Sequence, residues 1–188
     1  ADVAVLVTDP TPFGLHDLRL AVAVTTEMGI PTGVVINRSD GTDELIRRYA
    51  EHVGVPIIGT IPFRRAYAES YSRGQILAEV HPELCTNLVS MFEQIRALKA
   101  APVAAPVGLP VREQIPEVAE AGLLASGDPS MVMGGIGPRE IVIVSGKGGT
   151  GKTTVAGAFA VFQQDGVLAD TDVDTSNLPL LFQPQLRD

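Results

Sequence analysis

Short runs of apolar residues alternate along the chain with longer segments in which apolar residues recur at helical spacing. Each run in the first half is short, rich in β-branched residues and followed by a turn signal, which predicts a strand. The predicted strands cover residues 3–7, 33–36 and 55–61, and the predicted helices cover residues 15–28, 43–53, 64–79 and 82–99. Continuous rather than alternating runs are typical of strands buried on both faces. The pattern predicts an α/β fold: a mostly parallel sheet flanked by helices in three Rossmann-like layers.

Glycine and proline residues mark the ends of these elements. Prolines fix the loop at residues 8–14, so the first helix is predicted to begin at Leu15. Gly29 and Gly54 are placed to end the first two helices. A break is predicted in the third helix at residues 73–74.

The composition changes in the middle of the chain. Residues 99–138 are rich in Pro, Ala and Gly, which is typical of a semi-rigid linker, although residues 113–121 are compatible with a short helix. A strand at residues 141–144 is predicted next, then a helix from Lys152 to about Gln163 and a strand at residues 166–170. The predicted units are therefore residues 1–98, the linker at 99–138, and residues 139–188.

A glycine-rich loop joins the strand at residues 141–144 to the following helix. Gly146, Gly151, Lys152 and Thr153 match the P-loop pattern G-x-x-x-x-G-K-[ST], and the strand before it and the helix after it make the match specific. Glycines, here also Gly148 and Gly149, let successive N–H groups face a phosphate, and the free N–H groups at a helix start attract the same anion. The lysine of the pattern reaches the β- and γ-phosphates, and the threonine hydroxyl binds Mg²⁺.

The composition narrows the class of partner. A net charge of −8 argues against general nucleic-acid binding, which needs clustered Lys and Arg, and no polybasic patch suggests a membrane anchor. The single cysteine, Cys85, cannot form an internal disulfide or a Cys-rich metal site and is expected to be a packing residue. Neither a signal peptide nor an apolar run of about 18 residues is present, so a cytoplasmic protein is expected.

Segments in two parts of the chain resemble a known family. Residues 147–153, Lys-Gly-Gly-Thr-Gly-Lys-Thr, resemble the deviant Walker A motif of the MinD/ParA/Mrp (SIMIBI) P-loop ATPases, which carries a second lysine early in the loop. Residues 168–178 resemble the switch I segment of that family, and residues 1–18 resemble the part that follows switch II. Matches at residues 33–38, 61–63 and 68–74 continue the similarity. The chain is most similar to MinD-superfamily ATPases that carry an inserted ferredoxin domain.

The resemblance implies roles for residues around the phosphates. Lys147 corresponds to the lysine that crosses a dimer interface to the partner's nucleotide, unless it is simply a solvated loop lysine. Asp172 corresponds to the aspartate that positions the attacking water or holds Mg²⁺ through water, so Lys147, Lys152 and Asp172 are the candidate catalytic residues. Thr153 and Asp172 are the candidate metal ligands. Thr150 and Thr154 are implied in phosphate binding.

The resemblance also implies a base-binding side. Asn37 corresponds to a residue that hydrogen-bonds adenine, with a turn asparagine as the alternative, and Arg38 and Pro62 adjoin it. Acidic residues at 170, 172 and 174 are spaced as in a Ca²⁺ loop, but Thr175 and Leu181 occupy the positions where such a loop needs Gly and Glu. A calcium site is therefore not predicted, and the outer acids of this group are compatible with a solvated loop.

The matching segments occur in reversed order. Residues 1–97 resemble the C-terminal half of the family and residues 139–186 its N-terminal half, while Walker B and the ferredoxin insert are missing between them. Either the chain is a fragment of a tandem fusion or it is a circular permutant; the start at Ala1, inside a core strand, favours the fragment. In both cases we expect the halves to pack together, with strand 141–144 beside strand 3–7, because open strand edges are costly.

The predicted function is Mg²⁺-dependent ATP binding and hydrolysis with homodimerisation across the P-loop face. In the full-length family this activity is linked to iron–sulfur or redox chemistry, which implies a partner protein of that kind, since this chain has no cysteine cluster of its own. Without Walker B and switch II, hydrolysis by this chain is expected to be very slow. The alternative is a non-catalytic, nucleotide-switched scaffold or an iron–sulfur assembly carrier. The choice of ATP over GTP depends on the resemblance alone.

Overall fold

Four parallel strands form the sheet around which the described part of the chain is arranged. The computed structural model describes residues 1–98, 140–146, 148–163, 165–171 and 178–182. The strands are β1 (Val3–Thr8), β2 (Thr32–Ser39), β3 (Ile57–Pro62) and β4 (Ile141–Val144), in the order β3-β2-β1-β4. The helices are α1 (Pro12–Glu27), α2 (Glu44–Val53), α3 (Arg65–Ser72), α4 (Leu77–Val80), α5 (Pro82–Ala97), α6 (Lys152–Ala160) and α7 (Leu178–Phe182).

The helices cover both faces of the sheet. On one face, Leu6, Val34 and Ile36 pack against α1 and α2, where Leu18 and Ile46 are buried. On the other face, side chains of β1, β2 and β3 pack against α3, α4, α5 and α6, whose buried residues include Leu88, Met91, Ile95, Val155 and Phe159. All six residues of β1 are buried because neighbouring side chains enter opposite cores. The predicted three-layer α/β architecture is confirmed.

β4 joins the sheet from a distant part of the chain. It pairs in parallel with β1, in a register that runs from Val3 opposite Ile141 to Leu6 opposite Val144. The register is fixed just before both strands, where Glu140 N donates to a carboxylate oxygen of Asp2 at 2.7 Å. The predicted pairing of strand 141–144 with strand 3–7 is confirmed, so the two segments that carry the resemblance share one sheet.

The first helix begins earlier than predicted. α1 begins at Pro12 rather than Leu15, because the Thr11 hydroxyl accepts a hydrogen bond from Gly14 N at 2.9 Å and caps the helix. Proline is compatible with the first helical position, where its missing N–H would have no partner. The predicted stop at Gly54 is confirmed by its φ of 70° directly after α2.

The predicted helix at residues 64–79 is interrupted, as its glycine suggested. α3 ends at Ser72, Gly74 has a φ of 70°, and the short helix α4 follows. This break separates the two helices that line one end of the sheet.

The prediction of a strand at residues 166–170 is wrong. These residues have no regular secondary structure, and Val167 is 97% exposed. A strand needs a hydrogen-bonded neighbour, and among the described residues no strand pairs with the free side of β4.

α6 also ends at Ala160, before the predicted Gln163. The predicted linker and its short helix lie outside the described residues. No helix in the described ranges is long and apolar enough to cross a membrane.

Candidate functional site

The loop after β4 ends in a helix start that has no side-chain cap. Gly151 is the N-cap residue of α6, with a φ of 101°, and as a glycine it has no side chain that could accept a hydrogen bond from the first turn. The first bond of the helix runs from Val155 N to Gly151 O at 3.0 Å. The N–H groups of residues 152–154 therefore precede the intrahelical ladder and are suited to an anion.

Lys152 is held across this loop. Its Nζ donates a hydrogen bond to Ser145 Oγ at 3.0 Å, so the side chain turns back towards the residue that follows β4. An ammonium group has three hydrogens and can donate to further acceptors at the same time. Lys152, Thr153 and Thr154 are all half-buried. The first turn of α6 thus presents a positioned cation together with two hydroxyl groups.

A cleft of about 260 Å³ lies between this loop and the C-terminal ends of β2 and β3. The loop wall consists of Gly148, Gly149, Gly151, Lys152, Thr153 and Thr154. The far wall, opposite the loop, consists of Asn37, Arg38, Ile61, Pro62, Phe63, Arg64, Tyr67, Ala68, Tyr71 and Leu77. Open parallel sheets bind ligands at this end of their strands. The two walls come from segments that are far apart in the sequence.

A bulge in β2 brings two neighbouring residues to the cleft. Successive strand residues face opposite sides of a sheet, yet Asn37 and Arg38 both line the cleft. The register of β2 against β3 shifts between Ile36 and Ser39, and Arg38 adopts a left-handed backbone with a φ of 56°. Bulges of this kind redirect side chains next to binding sites. The strained backbone at Arg38 is therefore part of how the wall is built.

The lining of the cleft is cationic on an acidic chain. Among the described lining residues, Arg38, Arg64 and Lys152 carry positive charge and none is Asp or Glu. The whole chain has a net charge of −8. A concave site with cations and no lining acid concentrates positive potential and attracts an anion.

The far wall is supported by a cluster behind Tyr67. Arg64 lies over the Tyr67 ring, 5.5 Å from its centroid, and its guanidinium is 3.5 Å from a carboxylate oxygen of Glu83. The Tyr67 hydroxyl donates to the same oxygen at 3.4 Å, and His81 packs edge-on against the ring. Burial raises the pKa of the Tyr67 phenol, Glu83 acts in the same direction and Arg64 opposes it, so the phenol is a neutral donor at neutral pH.

The cleft brings together most of the predicted binding residues. Those that line it are Asn37, Arg38, Pro62, Gly148, Gly149, Gly151, Lys152, Thr153 and Thr154. Gly146 and Thr150 line a separate cavity of about 10 Å³ on the side of the loop that faces β1 and α1. The Asn37 amide donates to the Thr150 carbonyl in the loop at 2.7 Å. Lys147 and Asp172 lie outside the described residues.

Sequence reasoning missed part of the far wall. Arg64, Tyr67, Ala68 and Tyr71 have the spacing of one helix face, and they directly follow β3. A helix face that begins where a parallel strand ends is the sequence signal that identifies these residues as part of the wall.

Among the described residues, no group of three or more His, Cys, Asp or Glu side chains is placed to hold a metal ion. No protein-family model, curated protein or solved structure matches this chain in the three comparisons made.

Proposed function

We propose that the chain binds ATP with Mg²⁺ in this cleft, as a P-loop protein of the MinD/Mrp type. The observation that carries the proposal is the cleft itself, in which an uncapped helix start and Lys152 face a wall with two arginines and two exposed or half-exposed aromatic rings. Anionic phosphates suit the first wall, and a base with an apolar face suits the second.

The described residues fit each part of this ligand. Lys152 and the N–H groups that precede the α6 ladder would hold the phosphates, as charge-assisted hydrogen bonds. Phe63 is 64% exposed at the end of β3 and, with Tyr71, provides an aromatic surface for the base. Arg38 and Arg64 carry planar guanidinium groups, which stack on rings as well as pair with anions.

Magnesium binding would depend largely on the phosphates. When bound, Mg²⁺ neutralises charge that develops on the transferred phosphoryl group. Thr153 supplies a hydroxyl on the loop wall, and Asp172 is the second proposed ligand. The described lining contains no carboxylate to orient an attacking water. We therefore propose slow turnover, with Lys152 and Asp172 as the catalytic residues and Lys147 acting across a homodimer.

One observation also favours the alternative function, since none of the described lining residues is Asp or Glu. A nucleotide site with slow turnover is suited to switching between conformations. In that case the chain is a nucleotide-switched scaffold or an iron–sulfur assembly carrier. An iron–sulfur or redox protein is the proposed partner in either case, because the single cysteine, Cys85, cannot hold a cluster.

Binding is tested by calorimetric titration of the full chain with Mg·ATP, comparing wild type, Lys152→Ala and Arg48→Ala. Arg48 is an exposed α2 residue paired with Glu44, so its loss is a matched charge control. Lys152→Ala is expected to weaken binding about tenfold to a hundredfold, the range for one hydrogen bond to a charged group. Equal affinity of wild type and Lys152→Ala, or no binding by wild type at millimolar ATP, would overturn the proposal.

Phosphate release, measured on the same samples, separates the two functions. Slow release that Lys152→Ala abolishes supports an ATPase. Binding without release above the background of the Lys152→Ala variant supports the scaffold.

A further inference from the structure

A buried hydrogen bond joins the far wall of the cleft to the phosphate-binding loop. Asn37 Nδ2, on β2, donates to the carbonyl oxygen of Thr150 at 2.7 Å. Asn37 is 7% exposed and Thr150 is 3% exposed, so water does not compete for this bond. The two residues are 113 positions apart in the chain. The bond therefore fixes the loop to an element with which it shares no local sequence.

The same amide also limits the backbone of the next residue. A Cβ built on Gly151 would collide with Asn37 Nδ2. Gly151 has a φ of 101°, a conformation that residues with a Cβ rarely adopt. The loop thus passes directly against the amide at the point where it becomes α6. The position of the first α6 turn, including Lys152, depends on this contact.

The direction of the amide changes the role expected for Asn37. The sequence resemblance assigns this residue to the adenine base, yet its donor group is directed at the loop. We propose that Asn37 is a positioning residue that holds the phosphate-binding loop in its binding conformation, so that losing it weakens binding of the triphosphate whatever base is attached. This inference rests on the proposed function of the cleft. Removing the donor leaves the buried Thr150 carbonyl without this bond, which the loop relieves by moving.

The test compares wild type, Asn37→Ala and Asn87→Ala in the full chain, with Mg·ATP and Mg·tripolyphosphate as probes. Asn87 is a matched control, because its amide also donates to a backbone carbonyl, that of Thr60 at 2.9 Å, outside the cleft lining. Asn37→Ala is expected to weaken the binding of both probes by the same factor, about tenfold for one buried hydrogen bond. Asn87→Ala is expected to leave the affinity for both probes unchanged. If Asn37→Ala lowered the affinity for ATP but not that for tripolyphosphate, the inference would be overturned, and Asn37 would instead recognise the base.

Hydrogen exchange without ligand gives an independent readout. Asn37→Ala is expected to accelerate exchange in residues 148–155 while β1 and β2 keep their protection, which a merely global loss of stability would not produce. If Asn37→Ala does not fold, Asn37→Asp keeps the side-chain shape, removes the donor and is expected to give the same local change. Unchanged loop exchange in a folded variant would refute the inference. Failure of wild type to bind either probe refutes the proposed function instead, and the exchange comparison then still decides the role of Asn37.

Discussion

Among the described glycines of the loop, Gly148 is the one at which neither the backbone conformation nor a neighbouring described atom requires a glycine. Gly149 and Gly151 have φ angles of 81° and 101°, which favour glycine for backbone reasons. A Cβ built on Gly146 would collide with the Cβ of Asp17 in α1. At Gly148, φ lies outside the left-handed region, and no described atom beyond its chain neighbours lies within 4 Å of a built Cβ. Packing leaves this position open, while a ligand that approaches the backbone requires glycine there.

Replacing Gly148 with Ala therefore separates folding from binding. Gly148→Ala is expected to change the free energy of unfolding by less than about 0.5 kcal/mol, as at an open surface site. The same substitution is expected to weaken Mg·ATP binding about tenfold or more, because the new methyl group occupies space next to the phosphates. Urea denaturation and calorimetric titration measure the two effects.

Gly146→Ala is the contrasting variant. It is expected to lower the free energy of unfolding by about 1–3 kcal/mol, because α1 or the loop must move to accommodate the methyl group against Asp17. Wild-type affinity for ATP in Gly148→Ala would show that no ligand approaches this backbone.

At the scale of single elements, the start of α1 depends on one side chain. The Thr11 hydroxyl accepts the Gly14 N–H and also donates to the Asp9 carboxylate at 2.5 Å. Thr11→Ala is expected to lower the free energy of unfolding by about 1 kcal/mol, the usual cost of removing an N-cap. Thr26→Ala, inside the same helix, is the control and is expected to be neutral or slightly stabilising, because alanine has the higher helix propensity. A stability loss in Thr26→Ala as large as that in Thr11→Ala would contradict a capping role.

Local pattern predicts most of the elements but not their partners. The apolar runs of β1 and β2 and the loop before α6 are identified from neighbouring residues, because periodicity and turn chemistry are local properties. The run at residues 166–170 also contains Val, Leu and Ala but forms no strand, since a strand also requires a paired neighbour. The sequence pattern places the start of α1 too late, because a proline is compatible both with a loop and with the first position of a helix.

In the candidate site, too, sequence pattern predicts the part formed by one continuous segment and misses the part formed by distant segments. Its loop wall is one continuous segment with a recognisable spacing of glycines, Lys and Thr, so the sequence predicts it. The far wall combines the end of β2, the end of β3 and one face of α3. The bond from Asn37 to Thr150 spans 113 positions. Contacts of this separation follow from the strand order β3-β2-β1-β4, which sequence pattern alone does not specify.

At the scale of the whole molecule, stability is expected to be uneven across the sheet. β1 lies between β2 and β4, and its apolar residues are at most 2% exposed. β4 is shorter, only partly buried, and pairs on one side with β1 within the described residues. Segments with fewer buried contacts open at lower free energy than the core. β4, the strand that precedes the glycine-rich loop, is therefore expected to be the less stable part of the sheet.

Hydrogen exchange of the full chain, with and without Mg·ATP, tests this arrangement. Without ligand, amides of β1 and β2 are expected to exchange most slowly, and those of β4 and α6 faster, because β4 can separate from β1 while the other pairings persist. Saturating Mg·ATP is expected to slow exchange in β4 and α6 by a factor that increases with ligand concentration, since ligand stabilises only the closed form. β3 and α5 are expected to change less, because β3 also pairs with β2 and packs against α5. If β4 and β1 exchange at the same rate and ATP slows both equally, the sheet opens as one unit, and the ligand stabilises the fold as a whole rather than the attachment of its loop.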